Sequence, residues 1–130
     1  MGGKRGGGYV RPRGNPEFLR DNVNRAKQEF TFNAADLTFG LPGRRGSVRV
    51  IYAQDALAAA TRLFTILKSN GIAGRPTNEG GLRVSFQDGS HIVFRKNSKS
   101  GGPALTINPG SSMNNVLSEH KIHFERKEAK

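Results

Sequence analysis

Apolar side chains recur along this chain with two different periods. In the first half they return every three to four residues; in the second they alternate one for one with polar residues. Asn15, Pro16 and Glu17 set out an N-cap residue, a proline suited to the first helical position and an acid favoured by the helix dipole. Leu19, Val23, Ala26 and Phe30 follow at helical spacing, which predicts an amphipathic helix over 16–30. A second helix is predicted from Asp55, with one stripe of Ala56, Leu57, Ala60, Leu63, Phe64 and Leu67 and a closing glycine at Gly71. Between the two, Thr31–Gly46 has no clear period and ends in a turn-rich run, while Ser47–Tyr52 is β-branched enough for a short strand.

From Leu82 the period is two. Leu82, Val84 and Phe86 alternate with Arg83 and Ser85, Asp88-Gly89 signals a two-residue hairpin turn, and Ile92 and Phe94 continue the alternation. Leu105 and Ile107 predict a third strand, and Ile122 with Phe124 a fourth. The fold expected is therefore α+β: two N-terminal helices packed on one face of a four- to five-stranded, mainly antiparallel twisted sheet. Alternation then assigns the faces. If the helices cover the apolar set, the opposite face carries Arg83, Ser85, His91, Val93, Arg95, Thr106, Lys121, His123 and Glu125.

Composition narrows the class. Lys and Arg number 21 against 10 acids in 130 residues, a formal charge of +11, and cysteine is absent, so neither a disulfide nor a thiolate metal site is available. No apolar run is long enough to span a bilayer, and no membrane association of this domain is expected. Residues 1–14, with six glycines, four basic residues and no acid, read as a flexible basic linker ahead of a single domain over 15–130. A surplus of cations points to a polyanionic partner, above all nucleic acid, although an acidic protein surface would also answer it.

Three chemistries compete for the polar face. His120-x-x-His123 has the look of half a zinc site, but residues three apart on a strand face opposite sides, and no cluster completes the shell. The Gly-x-Ser-x-Gly elbow of a serine hydrolase is absent. Phosphodiester cleavage in RNA asks for less, because the 2′-hydroxyl is the nucleophile. A histidine to move protons and cations for the phosphorane charge suffice, with no metal or other cofactor. The loop Ser98-Lys99-Ser100-Gly101-Gly102 suits either a phosphate cradle or an ordinary connection. A basic module that binds RNA or DNA without cutting it is the rival reading.

The run DGSHIVFRKNSKSGGPALTIN, followed by HKIHFERK, resembles the C-terminal toxin domains of bacterial polymorphic and contact-dependent-inhibition toxins. Such domains are similar to the barnase/EndoU/colicin-D/RelE-like ribonuclease fold. The resemblance covers roughly residues 55–127 and implies a metal-independent ribonuclease, often a tRNA nuclease, neutralised by a cognate immunity protein. It further implies secretion or cell-surface display on a larger carrier and action in the cytoplasm of a target bacterium. Carried over by position, the catalytic set is His123, Lys121, Arg95, Ser98 and Ser100. Lys99, Thr106, Lys96, His91, Arg83, Arg44 and Arg45 are the expected RNA contacts. The charge and the resemblance together call for an acidic immunity partner. A toxin of the same delivery class acting on DNA is a third possibility.

Overall fold

The computed structural model describes residues 16–43, 48–76, 81–97 and 102–126. Helix α1 (Pro16–Ala26) is followed by the short strands β1 (Phe32–Asn33), β2 (Thr38–Phe39) and β3 (Leu41–Pro42), then by β4 (Val48–Ala53). Helix α2 (Ala56–Leu67) comes next, then β5 (Ile72–Pro76), β6 (Leu82–Ser85), β7 (His91–Arg95) and β8 (Ala104–Asn108). A 3₁₀ turn (Ser111–Met113) leads to β9 (His120–Arg126).

The fold is α+β: two helices and a mixed, mostly antiparallel open sheet with six strands of four residues or more. The order is β3-β4-β9-β8-β7-β6-β5, and β1 with β2 forms a separate small ribbon. The run β6-β7-β8-β9 is the antiparallel meander that the alternation predicts. Two expectations need correction. The sheet is wider than four or five strands, because β4 and β5 add one to each side of the meander. Nor do the helices precede the sheet, since β4 lies between them and pairs in parallel with β9, Val50 opposite His123.

The core forms where the predicted stripes meet the sheet. Ala60, Leu63, Phe64 and Leu67 of α2 are buried against Ile92, Phe94, Leu105, Ile107, Ile122 and Phe124, with the rings of Phe64 and Phe94 stacked at 5.0 Å. Asp55 caps α2 as expected, its carboxylate accepting from the Ala58 N–H at 3.0 Å. Helix α2 contacts the sheet, whereas α1 packs chiefly on α2, burying Leu19, Val23 and Ala26. Asn22 ties the two together. Its buried amide donates to the carbonyls of Leu67 (2.9 Å) and Ser69 (2.7 Å), acceptors that the end of α2 leaves open.

The predicted boundaries shift at two turns. Helix α2 ends at Leu67, and Asn70 (φ 63°), not Gly71, takes the left-handed conformation. Gly71 is needed for space, since a Cβ there would stand 2.5 Å from Cγ1 of Val84. The β6–β7 connection closes on Phe86 N–H to Ser90 O (2.8 Å), a three-residue loop with Gly89 at φ 91° rather than a two-residue turn.

Candidate functional site

The pleat of the meander fixes two faces. His120, Ile122 and Phe124 point to the helices, whereas Lys121, His123 and Glu125 point away, and the neighbouring strands follow in register. One row across the outer face runs Arg83–Val93–Thr106–Lys121, and the next runs Arg95–Ala104–His123–Val50. His123 and Arg95 thus flank a single small residue, Ala104, with about 10 Å between their Cα atoms at ordinary strand spacing. Lys121 is two residues from His123 on the same side, and Thr106 lies half-buried beside it. The alternation therefore brings Arg95, Thr106, Lys121 and His123 together, with Arg83 exposed at the far end of the adjoining row.

Two other candidates fall elsewhere. His91 shares the outer face but sits at the hairpin end of β7, opposite Ser85 and Asn108, with Nδ1 3.3 Å from the Gly89 carbonyl. It is four residues along the strand from Arg95, too far for both imidazoles to flank one phosphate. Lys96 follows β7 on the helix side, where it lines a groove of about 320 Å³ with Lys68, Thr65 and Phe64. Ser98, Lys99, Ser100, Arg44 and Arg45 lie outside the described residues, as does the 1–14 segment.

His123 is half-buried. Partial burial and the adjacent Lys121 ammonium hold its pKa below the ordinary imidazole value, with Glu125 pulling the other way. The ring is therefore neutral at pH 7 and able to accept a proton.

His120 serves the fold. Its ring is buried, Nδ1 lies 2.7 Å from the Ser118 carbonyl, and Nε2 accepts from the Phe39 N–H at 3.0 Å. That pairing makes Nδ1 the protonated nitrogen and requires a neutral ring. Both nitrogens are engaged within the protein and face away from His123, so the two histidines share no ligand. Among the described residues no three of His, Asp and Glu gather into a metal-holding group.

Tyr52 belongs to this face and was not among the residues expected from the sequence. It lies on β4 opposite Glu125, two residues on from Val50, whose partner is His123. Tyr52 is 52% exposed, and Leu41, opposite Val50, is 49% exposed. The alignment of Val48, Val50 and Tyr52 with Lys121, His123 and Glu125 of β9 is invisible until the parallel pairing is known. No family model, curated protein or solved structure matches the chain.

Proposed function

We propose that this chain is a metal-independent endoribonuclease domain of the polymorphic and contact-dependent-inhibition toxin class. Its substrate is tRNA or another RNA of a competing bacterium. It is delivered on a larger carrier and held in check at home by an acidic immunity protein. The observation that carries the reading is the outer row in which Arg95 and His123 flank Ala104, with Lys121 alongside. Ala104 itself is covered, and a phosphodiester lying across the row above it meets a guanidinium on one side and a proton acceptor on the other.

Neutral His123 takes the proton of the 2′-hydroxyl, and the 2′ oxygen bonds to phosphorus. The bond to the 5′ oxygen breaks as the imidazolium and solvent return a proton to it. The products are a 2′,3′-cyclic phosphate and a 5′-hydroxyl. Arg95 and Lys121 oppose the charge that builds on the non-bridging oxygens. Ser98, Lys99 and Ser100 hold the phosphate in this proposal, and Arg44, Arg45 and the basic first segment grip the backbone beyond it.

The test is product analysis on total RNA and plasmid DNA with EDTA present. RNA should be cut to cyclic-phosphate ends and DNA left intact, because DNA offers no 2′-hydroxyl. His123→Ala should lower the rate at least about a hundredfold while the thermal midpoint stays within a few degrees. The acidic limb of the wild-type rate profile should lie below pH 6.5, in keeping with the lowered His123 pKa. Full activity in His123→Ala would remove the assignment. One observation favours a second reading, a binding module without turnover: the row holds a single imidazole, His91 being out of reach. Tight, salt-sensitive RNA binding with no cleavage in the wild type would select it.

A further inference from the structure

We propose that Tyr52 is a base-stacking subsite, seating the nucleobase beside the phosphate held between Arg95 and His123. This rests on the RNA reading of the outer face and adds to it the place where a base is received. Tyr52 stands on β4 about half exposed, although tyrosine carries enough apolar area that folding normally buries most of it. It is a diagonal neighbour of His123 across the parallel β4–β9 pair, with about 8 Å between Cα atoms at ordinary strand rise and spacing. That is roughly the span from a phosphate to the base it carries. The exposed Leu41, paired with the buried Val50, extends the apolar surface beside the ring.

Charge sorts the rest of the strand. The rows nearest the meander hold Arg83, Arg95 and Lys121, whereas the position opposite Tyr52 holds Glu125, exposed and negative. A carboxylate there repels backbone phosphate and accepts a hydrogen bond from an amino or imino group of a base. The phosphates are therefore drawn over β7–β9 and the base is turned towards β4. Single-stranded RNA is the occupant that meets both demands, since its bases are free to leave the stack for an aromatic ring.

The protein contains no tryptophan and only two tyrosines, so in the full chain carrying Tyr9→Phe the ultraviolet emission reports Tyr52 alone. The probe is a short 2′-O-methyl oligoribonucleotide, which has no free 2′-hydroxyl and cannot be cut. An abasic oligomer of equal length is its control. The oligonucleotide should quench Tyr52 emission saturably and the abasic chain should not. Tyr52→Ala should weaken oligonucleotide binding about tenfold, with Tyr52→Phe close to wild type. Binding without quenching, equal quenching by the abasic chain, or unchanged affinity in Tyr52→Ala would each overturn the subsite. If RNA is still cleaved in a His123-dependent way, such a result removes Tyr52 alone. If the oligonucleotide does not bind and RNA is not cut, the RNA reading falls with it.

Discussion

His120 and His123 are three positions apart on one strand and meet opposite surroundings. His120 is the acceptor for the Phe39 N–H and so joins the β1–β2 ribbon to the main sheet. Burial lowers its pKa, outweighing the Ser118 carbonyl, which acts in the opposite sense, and Arg49 lowers it further. A histidine that resists protonation in the fold but not in the unfolded chain stabilises fully above about pH 6.5. That stability is lost as pH falls below this value towards the folded pKa. His120→Ala should therefore cost about 2–4 kcal/mol at pH 7.5, from the lost packing and the stranded Phe39 N–H. Its gap to wild type should narrow at pH 5.5. Urea unfolding at the two pH values checks both the size and the sign. The opposed directions of these side chains were legible from the strand period. What was not legible is that His120 has a backbone partner supplied by residue 39, in a stretch with no period of its own.

At the scale of elements, local signals succeeded wherever the partner is near in sequence. The cap at Asp55, the stripe of α2 and the β6–β9 meander are each written in residues that touch within a few turns of chain. The pairing of β4 with β9 joins segments far apart in sequence, and nothing in Val48–Ala53 names its neighbour. Strand β5 was missed because a register shift between Ile72 and Arg75 breaks its alternation. Gly71 was recognised as special for the wrong reason: the backbone twist belongs to Asn70, while Gly71 makes room for Val84. Two substitutions separate these roles. Gly71→Ala should destabilise by about 1–3 kcal/mol through overpacking, visible as a lower urea midpoint. Asn70→Gly should be nearly neutral or slightly stabilising, because glycine adopts the left-handed conformation without strain.

For the molecule as a whole, the charge surplus matters only where the fold gathers it. On the outer face Arg83, Arg95 and Lys121 share two adjoining rows, and on the proposed RNA reading each phosphate they neutralise releases counterion. The affinity for single-stranded RNA should therefore fall steeply with salt. Lys121→Ala and Arg83→Ala should each reduce the log–log slope by about 0.7, while a surface change at Arg62, which is paired with Glu29 at 2.7 Å, should leave it alone. Fluorescence anisotropy across a salt series measures this directly. The face assignment could be read from the alternation, but the tyrosine at its rim could not, because its place depends on the long-range pairing.

That pairing also governs when the protein becomes whole. Strand β9 lies between β4 and β8, so it joins a piece of sheet built early in the chain to one built later. While residues 120–126 are still inside the ribosomal exit tunnel, β3 and β4 have no hydrogen-bonded link to the meander, and Ile122 and Phe124 are missing from beneath α2. Lys121 and His123 ride on the same segment. A nascent chain thus carries neither the histidine proposed as its proton acceptor nor a completed core, and both arrive together once β9 has emerged.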